Sequence, residues 1–258
     1  MIIDTHCHLD DIGYENDLDD VLKNAKMEGV FGVLIPGAAI KDLPKAREIA
    51  YQHENIYFAA GIHPYHIKEY DETVLKEFLQ DERCIAVGEC GLDYYRLPED
   101  EEEKKAEKEH QKEIFRLHVR LARELKKPLI IHIRDANEDS KQILIQEKAG
   151  EVGGVLHCYN ASEHLLELVQ HGFYFGIGGV ITFKNAKKLV EILPKIPLER
   201  ILIETDGPYL TPHPFRGKRN EPSYTKYVVE KIAQILDLSV DTVEKITTNN
   251  AKTLFKEF

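Results

Sequence analysis

Asp4-Thr5-His6-Cys7-His8 closes the first apolar run of this 258-residue chain. Ile2 and Ile3 are β-branched and open a short strand, where side chains two apart point to the same face. His6 and His8 therefore face one way, as two metal ligands would. Alone, a His-x-His suits a pair of solvated histidines better. Four later apolar runs change that balance, because they end on Glu89, His132, His157 and the triplet Glu204-Thr205-Asp206. Nitrogen and carboxylate ligands without cysteine suit Zn²⁺ or Mn²⁺, and Mg²⁺ or Ca²⁺ less well. His6, His8, Glu89, His132, His157 and Asp206 exceed the three protein ligands typical of one catalytic zinc. Two divalent ions (Zn, Mn or Mg) are therefore expected, with Glu89 between them. Such a pair activates a water and clamps both oxygens of a phosphoryl displacement. Asp206 is read as a ligand that also takes a proton from the water, so Glu89 and Asp206 are the catalytic carboxylates.

The elements that position these residues alternate. Strand-like runs are Ile2–Asp4, Val30–Ile35, Ile56–Ala60, Cys84–Val87 closed by Gly88, Leu129–Ile131, Gly153–Leu156, Phe173–Phe175 and Ile201–Ile203. Helical spacing of apolar residues marks Asp17–Glu28, Leu43–His53, Glu72–Gln80, Ser140–Glu147, Ser162–His171 and Asn185–Ile192. The charge run Glu99–Glu109 reads as the solvated entry to a long helix with Ile114, Leu117, Leu121 and Leu125 on one stripe. Two more helices are expected near Ser223–Leu236 and Val240–Thr247. Eight strand–helix units imply a parallel sheet, and in about 200 residues they fit a (β/α)8 barrel better than a doubly wound sheet. No Gly/Ser linker divides the chain, so residues 1–258 read as one α/β domain. In such barrels the catalytic residues sit at the C-terminal strand ends, where all six candidates fall.

The chain carries 34 Lys and Arg against 45 Asp and Glu, a net charge of −11. That argues against coating duplex nucleic acid with a broad basic face. It leaves room for a single strand or an end reaching a metal-lined pocket, because bound cations outweigh the local acidic field. Cys7, Cys84, Cys90 and Cys158 form no CxxC pair, so free thiols in a reducing cytoplasm are expected. Cys7 and Cys158 adjoin ligands but read as buried small hydrophobes. No apolar stretch reaches 18 residues and no secretory signal opens the chain, so no membrane association is expected.

Several motifs together resemble the TatD family of metal-dependent deoxyribonucleases. They are Asp4-Thr5-His6-Cys7-His8-Leu9-Asp10, Gly61-Ile62-His63-Pro64, Gly88-Glu89-Cys90-Gly91-Leu92-Asp93-Tyr94-Tyr95, Ile131-His132-Ile133-Arg134, His157-Cys158 and Glu204-Thr205-Asp206-Gly207-Pro208-Tyr209-Leu210. Arg216-Gly217-Lys218-Arg219-Asn220-Glu221-Pro222 and the late Asn250, Leu254 and Phe255 fit as well. The resemblance implies a TIM barrel of the amidohydrolase superfamily and hydrolysis of DNA ester bonds. It also implies metal binding at the six residues named above. Many amidohydrolases bridge their metals with a modified lysine on strand 4; Glu89 stands there instead. Cys90 replaces a common Ile, and Tyr159-Asn160 replace a common Phe-Ser, so Asn160 puts specificity in question rather than chemistry.

Weaker candidates surround the set. His63 is placed to hydrogen-bond a phosphate or a leaving group, and Arg134 to bind a phosphate oxygen. Arg216, Lys218 and Arg219 make a basic loop suited to a nucleic-acid backbone. Tyr94, Tyr95 and Tyr209 suit base stacking or plain rim packing. The expected function is a two-metal deoxyribonuclease acting on single strands or ends, with no obligate protein partner. The rivals are an amidohydrolase-type C–N, lactone or aminoacyl-ester hydrolase, and a metal-binding nucleic-acid adaptor without turnover.

Overall fold

Eight parallel strands run in sequence order around one sheet: β1 (Ile2–Asp4), β2 (Val30–Ile35), β3 (Ile56–Ala60), β4 (Cys84–Asp93), β5 (Leu129–Arg134), β6 (Gly154–Leu156), β7 (Phe173–Ile177) and β8 (Ile201–Ile203). The computed structural model describes residues 1–258. The helices are α1 (Leu18–Met27), α2 (Leu43–Gln52), α3 (Glu72–Leu79), α4 (Glu101–Leu125), α5 (Asn137–Gln146), α6 (Lys187–Ile192), α7 (Thr225–Leu236) and α8 (Val240–Leu254). The result is a single-domain (β/α)8 barrel.

Beyond the short edges of β1 and β8, backbone bonds and side chains together finish the closure. The Thr5 amide donates to the Ile203 carbonyl at 3.0 Å. The buried Asp4 carboxylate accepts from the Thr205 amide at 2.9 Å and from its hydroxyl at 2.6 Å. Cys7 then bridges Gly207 in parallel register. Inside the barrel one residue from each strand meets the others: Ile3, Leu34, Ala59, Ala86, Ile130, Val155, Tyr174 and Leu202. Ala251, Leu254 and Phe255 join that cluster from α8 and plug one end. Two residues further along β5, β6 and β8 the same inward face carries His132, His157 and Glu204.

Three sequence expectations change. Gly88 does not end β4. The register slips by one residue between Val87 and Cys90 against β5, a bulge, and the strand runs on to Asp93. Only glycine suits the bend: Gly88 has φ +148°, and a Cβ there would lie 2.5 Å from the Ile130 carbonyl. The segment Glu163–His171 forms 3-10 turns rather than an α-helix. The Tyr159 hydroxyl donates to the Ser162 carbonyl, which also takes the Leu165 amide at i+3. Finally, α8 continues seven residues past its expected end, to Leu254, because Ala251 and Leu254 are needed in the barrel.

The charge run behaves as a helix entry. Asp100 caps α4 by accepting from the Glu102 and Glu103 amides at 3.0 Å, and Glu101–Glu103 sit where the helix dipole favours anions. The buried face of α4 includes Ile114, Phe115, His118, Val119 and Ala122, with Leu117 and Leu125 at its margin. His118 is wholly buried and fully partnered. Its Nε2 accepts the Ile62 amide at 3.0 Å, and its Nδ1 donates to the Ile114 carbonyl at 2.8 Å. Burial lowers its pKa to about 4, against a backbone hydrogen bond that pulls it up.

Below pH 6.5 an unfolded His118 takes up a proton that the folded one refuses until about pH 4, so stability falls as pH drops through that window. The full effect is about 3 kcal/mol. Urea unfolding of chelator-treated protein should give His118→Gln, less stable at pH 7, a visibly shallower loss between pH 6.5 and 4 than wild type. Parallel slopes would refute the assignment.

Candidate metal centre

The mouth at the C-terminal strand ends gathers all six expected ligands. The β4 bulge turns Glu89 inward, and its amide is tied to the Gly37 carbonyl at 2.6 Å. Glu89 Oε2 lies 3.4 Å from His6 Nε2 and 4.0 Å from His8 Nε2. Glu89 Oε1 lies 2.9 Å from His132 Nδ1 and 3.5 Å from His157 Nε2. One carboxylate oxygen therefore faces His6 and His8 and the other His132 and His157, with His63 Nε2 also 3.8 Å from the second. Asp206 Oδ1 lies 3.7 Å from both His6 Nε2 and His8 Nε2. Asp206 holds a left-handed backbone, φ +58°, a conformation costly for a non-glycine residue and concentrated at functional sites. Its amide donates to the His6 carbonyl at 2.8 Å, which fixes that turn.

These atoms fit cations. Donors about 2.1 Å from a shared ion stand roughly 3–3.5 Å apart, close to the spacings observed. Both ring nitrogens of His6 are buried without a hydrogen bond. Such orphans cost free energy unless something satisfies them. The His6 and His157 rings stack with centroids 3.6 Å apart. Burial, followed by the neighbouring His157, holds the His6 pKa well below its usual value. Burial also lowers His8. For His157 burial opposes the charge, but Glu89 and Glu204 prevail and raise its pKa to about 10. Burial works against the Glu89 anion too, yet the surrounding histidines hold its pKa well below normal. Burial and nearby carboxylates push Asp206 up to about 7.

Further carboxylates hold the outer ring atoms. Asp93 Oδ2 meets His132 Nε2 at 2.9 Å, which leaves Nδ1 for the centre. Gln111 on α4 fixes the Asp93 backbone through bonds of 2.9 and 3.1 Å. Glu204 Oε1 accepts the Cys158 amide at 2.6 Å and lies 3.4 Å from His157 Nδ1. Gly176 makes room for it: a Cβ there would meet Glu204 Oε2 at 2.2 Å. Asp93 was legible only as a member of a motif. With β4 ended at Gly88, the period-2 relation of Glu89 to Asp93 was lost.

His63 groups with Asp93 and His132 closely enough to suggest another ligand triad. Its hydrogen bonding points elsewhere. His63 Nδ1 accepts the Tyr65 amide at 3.1 Å, so a neutral ring carries its hydrogen on Nε2 and acts as a donor toward the centre. Arg134 is exposed at the rim with its guanidinium 3.6 Å from the Tyr95 ring centre. Arg216 donates to the Thr211 carbonyl and lies over Phe183, and Lys218 lies over Phe215. Arg219 forks onto Asp17 at 2.7 and 2.8 Å, so the basic loop is partly neutralised. Tyr94 is tied to Asp139, whereas Tyr95 and Tyr209 are exposed. Asn160 bonds Asn137, the Ile133 carbonyl and the Ser162 amide, a structural use of its amide. Cys7 is buried as expected, but Cys158 is only partly so and lines a cavity beside the ligands.

A family sequence model described as TatD related DNase matches residues 3–256. The chain belongs to the TatD family. It is 44% identical over 260 residues to the uncharacterized metal-dependent hydrolase YabD of Bacillus subtilis, covering 99% of each chain. It is 34% identical over 251 residues to the 3'-5' ssDNA/RNA exonuclease TatD of Escherichia fergusonii, covering 94% of each. Among solved structures, the TatD homologue YjjV of Escherichia coli superposes with a TM-score of 0.88 at 27% identity, over 99% of this chain and 98% of that one. Membership makes this chain a metal-dependent hydrolase.

Chelator-treated protein should gain thermal stability on addition of Zn²⁺ or Mn²⁺, increasingly with ion concentration. Glu204→Gln, which keeps the shape but weakens the hold on His157, should lower metal affinity about 10–100-fold in a competition titration. An unchanged melting temperature with either ion would contradict the metal centre.

Proposed function

We propose that this chain is a two-metal phosphodiesterase that shortens DNA from single-stranded or frayed ends. The observation that carries the reading is Glu89, one of whose oxygens faces His6 and His8 while the other faces His132 and His157, with His63 beside them as a donor. His6, His8 and Asp206 would hold one ion, and His132 and His157 the other, with Glu89 shared. Bound there, two divalent ions would acidify a water and neutralise charge on a phosphoryl group.

The remaining work falls to the protein's own groups. Asp206 turns Oδ1 toward His6 and His8, leaving Oδ2 to accept the proton of the attacking water. His63 Nε2–H points into the mouth, 3.8 Å from Glu89 Oε1, where it can donate to a phosphate or leaving oxygen. Asp93 and Glu204 keep His132 and His157 from rotating. Arg134 at the rim, and Arg216 and Lys218 beyond it, offer sparse positive charge for a strand's phosphates. Tyr209 is exposed and available to stack on a base, whereas Tyr95 carries the Arg134 guanidinium on one face.

The family description and the exonuclease name of one relative support a nucleic-acid substrate. All four cysteines are unpaired, which suits a reducing cytoplasm. No helix is long and apolar enough to cross a membrane.

End-labelled single-stranded DNA incubated with Mg²⁺, Mn²⁺ or Zn²⁺ should shorten stepwise. His132→Ala and Asp206→Ala should each slow this more than about 100-fold. Folded, metal-loaded protein that leaves DNA intact would end the reading and direct attention to lactone, amide and aminoacyl-ester substrates.

A further inference from the structure

The loop of residues 10–17, between β1 and α1, puts an apolar tip at the lip of the mouth. Ile12 is 78% exposed there, at the start of one 3-10 turn, Ile12–Tyr14. Isolated surface hydrophobes are ordinary and need no explanation. This one is held out on a braced support. Asp11 caps the turn, its Oδ1 accepting the Gly13 amide at 2.6 Å. Tyr14 is buried, and its hydroxyl donates to the Asn220 carbonyl. Arg219 donates to the Gly13 carbonyl and forks onto Asp17. A second exposed side chain stands beside the tip. The Tyr209 hydroxyl donates to Asp11 Oδ2 at 3.3 Å, and its amide to the carbonyl of the ligand Asp206 at 2.9 Å. The Tyr209 ring centre is 6.3 Å from that of His8, so the tip borders the ligand cluster.

Charge is divided across the mouth. The loop carries Asp10, Asp11, Glu15 and Asp17 and no Lys or Arg. Arg134 extends from β5, which lies opposite β1 in the eight-stranded order.

We infer that this lip is a strand-separating wedge, with Ile12 parting the terminal base pair of a duplex end. The inference rests on the phosphodiesterase reading above and explains how an end becomes frayed once it has arrived. Aliphatic side chains that enter a base step unstack it. The braces matter, because a loop already ordered loses little entropy on contact. The acidic flank then repels the phosphates of the strand that is not cut, while Arg134 across the mouth attracts those of the strand that is. Tyr209 offers its ring to the freed base.

Two measurements on metal-loaded protein test the wedge. The first compares the rate on an end-labelled single strand with the rate on the same strand in a blunt duplex. The second follows 2-aminopurine in the terminal pair of a duplex with cleavage-resistant phosphorothioate linkages; this base brightens when it unstacks. Wild type should brighten it. Ile12→Ser should not, and should lower the duplex-to-single-strand rate ratio about tenfold while leaving the single-strand rate unchanged. Ile12→Leu should keep both properties. No brightening with wild type, or brightening and a rate ratio unchanged in Ile12→Ser, would overturn the wedge. Brightening that Ile12→Ser abolishes, in a protein that cuts no DNA, would support the wedge and overturn the phosphodiesterase reading alone.

Discussion

A carboxylate buried at the end of a barrel must be neutralised or hydrogen-bonded, and Glu89 is almost completely buried. The protein surrounds it with five imidazoles, His6 and His8 at one oxygen and His132, His157 and His63 at the other. That choice constrains everything nearby. Imidazoles packed this closely cannot all carry protons, because like charges in a low-dielectric site repel. Nor can they all be satisfied as neutral rings, as the orphaned nitrogens of His6 show. Divalent cations resolve both problems at once, and without them the cluster is a standing cost to the fold. The exchange of stability for function is concentrated at this one place.

The barrel is arranged to bear that cost. β1 and β8 are three residues each, too short to close the sheet by backbone ladders alone, yet together they deliver three of the six ligands. Asp4 and Thr205 add to the backbone bonds past the strand ends through a buried carboxylate and hydroxyl. Asn220 reinforces the turn beyond β8, donating to the Thr205 and Tyr209 carbonyls at 2.8 and 2.6 Å. On the opposite side Gln111 reaches from α4 to hold Asp93, which holds His132. Closure of the sheet and orientation of the ligands are thus performed by the same polar contacts.

How much of this the sequence disclosed follows from the distance over which each signal acts. Strand alternation is local, so eight short apolar runs located the barrel, and the residues at the ends of five of them located the ligands. The bulge at Gly88–Glu89 is not local. It depends on Ile130 lying against Gly88 across β5, and without it the continuation to Asp93 was hidden. His118 was passed over on the apolar stripe of α4 because its purpose, accepting the Ile62 amide, lies 56 residues away in sequence. The loop carrying Arg216, Lys218 and Arg219 looked uniformly basic, since the pairing of Arg219 with Asp17 spans 202 residues. Composition registers a charge but not its partner.

That partnering bears on what can approach the mouth. Duplex binding draws on many phosphate contacts spread over a broad surface. Here Arg219 is neutralised by Asp17, which leaves the loop only Arg216 and Lys218 as uncompensated cations. What remains near the cluster is Arg134, braced on Tyr95, and Lys188 across the cavity. On the proposed reading, these sparse cations would meet the few phosphates of a strand end, and the net charge of −11 would disfavour a long duplex. Selection of an end would then need no dedicated reading element. It would follow from how few uncompensated cations stand beside the ligand cluster.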